Sequence, residues 1–411
     1  MVSSVLEVNG ERLWQRLMDI AQIGGTAAGG CNRQALTEED AAARALFGKW
    51  AEAAGCTSRL DEIGNLFIRR EGRLPDAPPV LIGSHLDTQP TGGKFDGIYG
   101  VLSGLELIET LNDHGVKTDH AIEVAVWCNE EGCRFTTAMM GSAVWAGVMS
   151  IDEALALTDG SGTTVAEALV ATGQKGNMPA SAFDVKAAFE LHIEQGPILE
   201  QEACTIGVVT AVQNMSRHWV RITGQEVHAG PTPMEARRDP MRALSRFLPR
   251  LYEMAQAIEN GRITFGVIDA QPASNNTVPG LLTMTIDIRH PDRKVYDAML
   301  VEMRTIIEAA CEEEKTPCEI EMFFHAPGVV YDEQCLASVR AAVKQFDYSC
   351  MEMVSGAGHD ACNVAAVAPT AMIFIPCRDG ISHNEAEHIE QEHATAGANI
   401  LLHAVLNQAC A

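Results

Sequence analysis

The chain has 411 residues, of which 46% are hydrophobic and 21% charged, and its formal net charge is −25. At roughly 150 residues per domain this predicts two or three domains with a buried core, and it excludes wholesale disorder. So acidic a chain repels phosphate backbones and anionic lipid surfaces, so neither nucleic acid nor membrane is an expected partner.

In chain order, the first predicted element is a helix capped by Asn9, with Leu13, Trp14, Leu17 and Ile20 on one face, ending at Gly24-Gly25. A second helix starts after Thr37, with Asp40 three residues on, and stops at Gly55. Strands and helices then alternate. Residues 80–83 read as a short buried strand, 98–111 as a helix, and 122–127, 187–191 and 371–375 as further strands. This alternation predicts an α/β domain with a mostly parallel central sheet.

Residues 211–327 differ in texture. Residues 218–223 and 281–289 look like strands. Asp239-Pro240 opens a helix whose apolar face runs from Met241 to Ile258, and a further helix covers about 294–310. We expect a smaller α+β domain inserted between two parts of the catalytic domain, residues 1–210 and 328–411. The cysteines are scattered from Cys31 to Cys410 with no C-x-x-C pair. They read as reduced thiols of a cytoplasmic protein. No basic-then-apolar leader opens the chain, and no apolar run approaches the ~18 residues of a membrane span.

The chemistry-bearing residues gather where predicted strands end. Gly83-Ser84-His85-Leu86-Asp87 follows the first strand of the alternating series, Asn129-Glu130-Glu131-Gly132 the second and His192-Ile193-Glu194-Gln195-Gly196 the third. Arg378-Asp379-Gly380-Ile381-Ser382-His383-Asn384 follows the last, and Asp96 precedes the 98–111 helix. Open α/β sheets place their sites beyond the carboxyl ends of strands. Imidazole nitrogens and carboxylate oxygens suit borderline divalent ions, and three histidines with two acids are too many for one tetrahedral ion. They suit two ions sharing a carboxylate, a pairing that can polarise a carbonyl and lower the pKa of water. Taken singly, each residue has a plainer reading. Asp96 could be a helix N-cap and Glu130-Glu131 a solvated loop. Arg289 could pair with a surface acid, and Asn276 could be a turn residue.

These segments, with Gly92-Gly93-Lys94-Phe95-Asp96-Gly97 and His228-Ala229-Gly230-Pro231-Thr232-Pro233-Met234, occur in an order that resembles the amidase, hydantoinase/carbamoylase family. That family comprises N-carbamoyl-L-amino-acid hydrolases, β-ureidopropionases and allantoate amidohydrolases, within the di-zinc aminoacylase/carboxypeptidase superfamily. The resemblance spans nearly the whole chain. It implies a di-zinc exopeptidase-like catalytic domain with an inserted lid and dimerisation domain, and a homodimer. It implies two divalent ions, zinc with manganese, cobalt or nickel as substitutes, held by His85, Asp96, Glu131, His192 and His383, with Asp96 bridging.

The resemblance further implies that Glu130 is the general base and that Asp87 orients His85. His228 would reach the oxyanion, Asn276 and Arg289 would bind a substrate carboxylate, and Gln195 and Gly358 would contact the carbamoyl end. The implied reaction is hydrolysis of the ureido C–N bond of N-carbamoyl-L-amino acids or N-carbamoyl-β-alanine, releasing ammonia, carbon dioxide and the amino acid. Allantoate or ureidoglycolate is the alternative substrate. A catalytically silent metal-binding protein is a distant second class, disfavoured because every implied ligand and Glu130 are present. Pro231 and Cys377 stand where the family more often has threonine and serine, and neither removes a reactive group.

Overall fold

The computed structural model describes residues 5–410. It divides into two compact units, one running to Thr210 and resuming at Val330, the other Ala211–Val329.

In the first unit the main sheet runs, in spatial order, Thr57–Leu60, Leu66–Arg70, Ile122–Trp127, Val80–His85, Ala187–Ile193, Thr370–Ile375 and Ile206–Val212. The central pairings, Val80–His85 with both of its neighbours and Ala187–Ile193 with Thr370–Ile375, are parallel, and the flanking ones are antiparallel. All four central strands are buried along their whole length. That follows from their largely apolar runs, interrupted by the buried Glu123 and Glu190, the pattern of strands covered on both faces. Their carboxyl ends lie side by side in register: His85 is opposite Trp127, and His192 is opposite Phe374. Strand Ala187–Ile193 is two residues longer than the 187–191 expected, so His192 sits in the ladder itself.

The helices follow their caps. The Asn9 side chain accepts from Arg12 N at the start of Gly10–Ile20, and Thr37 accepts from Asp40 N at the start of Glu38–Ala53. Helix Ile98–Asp113 is buried on nearly every side. Its N-cap is Gly97, with no side-chain cap bond, so the plainer reading of Asp96 as a helix cap does not hold.

The second unit is an antiparallel sheet, Ile268–Gln271, Leu281–His290, Asn214–Thr223 and Cys318–Ala326, with Arg262–Thr264 beside Leu281–His290. Strict alternation along Leu281–His290 buries Leu282, Met284, Ile286 and Ile288 on one face. Helices Pro240–Ala257 and Arg293–Glu313 cover that face with Phe247, Leu251, Tyr296, Met299 and Ile307. Asp239 caps the first, accepting from Met241 N at 2.9 Å. Among the described residues no helix is long and apolar enough to cross a membrane, and all the cysteines are free thiols.

Candidate active site

At the carboxyl ends of the central strands two groups of potential ligand atoms share one residue. His85, Asp96 and His192 form the first, and Asp96, Glu131 and His383 the second, each with its atoms within 4.8 Å of one another. Asp96 Oδ1 lies 3.1 Å from His192 Nε2 and 3.7 Å from His85 Nε2, whereas Oδ2 faces His383 Nε2 at 3.5 Å. His383 Nε2 is also 3.3 Å from Glu131 Oε2.

The rest of the chain orients these groups. His85 Nδ1 lies 2.9 Å from the main-chain oxygen of Asp87, and His192 Nδ1 lies 2.9 Å from that of Ile193. A carbonyl can only accept, so both Nδ1 atoms carry hydrogen and both Nε2 atoms are turned toward Asp96. Burial pushes His85 down to about 4, keeping it neutral. Burial also opposes charge on His192, but the hydrogen bond and charge of Asp96 outweigh it and raise it to about 9. Asp96 is buried too, yet the surrounding histidines hold it well below the usual carboxylate range. Imidazole Nε2 atoms converging on an ionised, two-faced carboxylate are a donor set that fits divalent cations, which would take the place of the proton on His192.

Asp87 acts through two different atoms. Its carbonyl is the near partner of His85, while its carboxylate is 3.9 Å from Nδ1. That carboxylate instead accepts from the N–H groups of Glu130 and Glu131, at 3.3 and 3.1 Å. The loop it fixes is conformationally demanding. Asn129 has φ 55°, and its side-chain amide donates to the carbonyls of Phe135 and Thr137. Gln195 and His383 are also left-handed, at φ 57° and 53°. Non-glycine residues in this region carry strain that the surrounding structure must hold in place.

Glu131 accepts from Gln89 through both the main-chain and the side-chain nitrogen. Glu130, 8% exposed, has its Oε2 3.6 Å from His85 Nε2. Burial first, then the neighbouring Asp360 and Glu131 charges, raise its carboxyl well above the usual range. A carboxylate so placed can take up a proton and return it. Gln195 donates through Nε2 to Asp96 Oδ2 at 2.7 Å, and its buried Oε1 has no hydrogen-bond partner among the described residues.

Residues that the motifs did not single out complete the site. Arg44, buried and paired with Asp40, donates to the carbonyl oxygens of Gly64 and Trp127, and the Asn65 side chain accepts from Cys128 N. Together they fasten the strand end that leads to Glu130. Glu190, His192 and His359 form a further buried group, but Glu190 accepts from Ser84 Oγ and Ala361 N, and His359 Nε2 meets Ser355 Oγ. Local sequence carried little signal for these roles, because the contacts of Arg44 with Trp127, Asn65 with Cys128 and Glu190 with Ser84 and Ala361 join residues far apart in the chain. Glu194, inside one of the motifs, serves as a local cap, accepting from Ile198 N and Leu199 N.

Other implied contacts lie in the second unit. His228 pairs across a two-residue ladder with Thr277, next to Asn276, whose carbonyl accepts from Ala229 N. His228 Nδ1 accepts from Gly230 N at 3.1 Å. Arg289 is half-buried and holds Asp287 through Nε and Nη2, the pairing with an acid that the plainer reading anticipated. Gly358 lies in the first unit, between strand Cys350–Ser355 and helix Asp360–Val364.

The model of peptidase family M20/M25/M40 matches residues 81–407, a span that carries both ligand groups, Glu130 and the implied substrate contacts. The chain belongs to this family. Among M20 relatives it is 47% identical to the N-carbamoyl-L-amino-acid amidohydrolase of Rhizobium meliloti, over 98% of this chain and 97% of that one. The crystal structure of an amidase of the hydantoinase/carbamoylase family from Burkholderia multivorans superposes with TM-score 0.95 at 48% identity, covering 99% of both chains. The allantoate amidohydrolase of Bacillus subtilis is more distant, at 33% over 93% of each. The expected family and α/β catalytic fold are thus found, and the parallel sheet carrying the site is the M20 sheet.

Proposed function

We propose that this M20 member is a metal-dependent amidohydrolase of N-carbamoyl-L-amino acids or N-carbamoyl-β-alanine. The observation that carries the reading is the two ligand groups meeting at Asp96 with Glu130 beside them, in a chain 47% identical to an N-carbamoyl-L-amino-acid amidohydrolase. In this reading His85, Asp96 and His192 hold one divalent ion, and Asp96, Glu131 and His383 the other, zinc being the first choice by ligand type. When bound, the ions would polarise the ureido carbonyl and make water more acidic.

The chain's own groups do the rest. Glu130 takes a proton from the attacking water and delivers it to the departing nitrogen. Its burial-raised affinity for protons suits both halves of that task. Asp87, gripping the main chain of Glu130 and Glu131, keeps base and ligand in fixed relation. The unpartnered Gln195 Oε1 is an acceptor suited to a carbamoyl N–H. Gly358 is assigned to the same end of the substrate. Arg289 offers a guanidinium for a substrate carboxylate, Asn276 a side-chain amide for the same group, and His228 a ring N–H for the developing oxyanion.

The test is ammonia release across N-carbamoyl-α-amino acids of both hands, N-carbamoyl-β-alanine, allantoate and the carboxamide of the best substrate. Turnover is expected for the carbamoyl L-amino acids and to fall at least about tenfold on amidation of the carboxylate. Turnover of allantoate alone would replace the substrate assignment. Activity indifferent to amidation would remove Arg289 and Asn276 from it.

We also infer a homodimer built through the second unit. Strand Cys318–Ala326 ends that unit's sheet order and exposes Met322 and Phe323, a sheet edge of the kind proteins cover. Sedimentation at micromolar concentration should give a dimer, and a monomer there would refute it. The free thiols support a reducing, cytoplasmic setting.

A further inference from the structure

We propose that Glu387 is a positioning residue that holds Asp96 between the two ligand groups, by tying the 92–97 loop to the loop that carries His383. The inference rests on the reading that Asp96 binds metal.

Glu387 is 2% exposed and belongs to neither ligand group. Its Oε1 accepts from Phe95 N at 2.9 Å and from Asp96 N at 3.1 Å. Its Oε2 lies 3.1 Å from Ser382 Oγ, and that hydroxyl lies 2.6 Å from Asp96 Oδ2. The main chain of Asp96 is therefore gripped by one carboxylate oxygen. The Ser382 hydroxyl has one hydrogen and gives it to Asp96 Oδ2 over the shorter contact, so the Asp96 side chain is held by Ser382 itself, with Glu387 Oε2 packed beside that hydroxyl.

The neighbouring backbone is shaped around this carboxylate. A Cβ on Gly93 would fall 2.0 Å from Glu387 Oε1, so a side chain there would drive Glu387 out of place. Glu387 also follows His383 by four residues, so one side chain fixes the spacing between the carboxylate common to both groups and a histidine of the second. Metal affinity depends on such spacing because ligand distances tolerate only ~0.2 Å, and loss of an outer hydrogen-bond partner typically weakens binding 10–100-fold.

The experiment is titration of the chelator-stripped full chain with Co²⁺, followed by calorimetry and by the visible absorption of the bound ion. In Glu387→Ala the weaker of the two sites should lose 10–100-fold in affinity and its absorption band should change, with the circular dichroism of the wild type. Glu387→Gln keeps an oxygen for the two main-chain donors and should recover most of that affinity. If the alanine variant does not fold, Glu387→Asp decides: it keeps the charge but draws the oxygens back from Phe95 N and Asp96 N, so a loss of about tenfold supports the role and an unchanged affinity overturns it. A folded Glu387→Ala chain within twofold of wild type, or a glutamine variant as impaired as the alanine one, would also overturn it. If the wild type itself takes up no Co²⁺, the metal reading falls and this proposal with it. If only the variants behave like wild type, the metal reading stands and the role of Glu387 alone is lost.

Discussion

Glu130→Gln is expected to lower turnover by about 10²–10⁴-fold while leaving bound metal unchanged. Glutamine has nearly the same shape and can keep the packing against His85, but it cannot accept and return a proton. The main chain at this position is held independently of the side chain. Its N–H donates to Asp87, and its carbonyl accepts from Met139 N at 2.7 Å. The substitution should therefore act on chemistry rather than on folding. Ammonia-release kinetics with elemental analysis of the same preparation separate the two. A variant with wild-type turnover would remove Glu130 from the proton-transfer step. One that loses metal together with activity would show that its carboxylate is needed to hold the site.

Gly97→Ala should be comparably severe by a different route. Gly97 adopts φ 72°, and a Cβ there would stand 2.2 Å from His85 Nε2, the atom that faces Asp96. Either the imidazole or the loop must move. We expect weaker metal binding and an activity loss of at least about 100-fold, in line with the sensitivity of a site to ~1 Å displacements. Gly147→Ala is the control. It has a similar φ, 73°, with no atom within 4 Å of the added carbon. Positive φ strains a side-chain-bearing residue at both positions, so activity lost only at residue 97 ties the loss to the place beside His85 rather than to positive φ itself. Equal activity in both variants would mean the loop yields and His85 does not depend on that close approach.

Some of this was written locally. The largely apolar runs before His85, Asn129, His192 and Arg378 mark buried parallel strands, and the rule that sites lie past strand ends then points to the residues that follow. Caps at Asn9, Thr37 and Asp239 are chain-local hydrogen bonds, so their residue types alone announce them. Boundaries were less legible. Strand Ala187–Ile193 extends through His192 because its partner Thr370–Ile375 continues the ladder, and that partner lies some 180 positions away.

The sequence by itself determined which residue types stand at the strand ends, the family and the kind of chemistry, because these depend on composition, periodicity and short motifs. Tertiary structure alone decided which oxygen of Asp96 faces which histidine, that Asp87 grips the Glu130 loop with its carboxylate while meeting His85 with its carbonyl, and that Glu387, Arg44 and Asn65 support the site. The physical reason is one of range. A cap or an apolar stripe is fixed by neighbours three or four residues apart, whereas a hydrogen bond from Phe95 to Glu387 spans 292 positions and exists only once the sheet has brought its strand ends together.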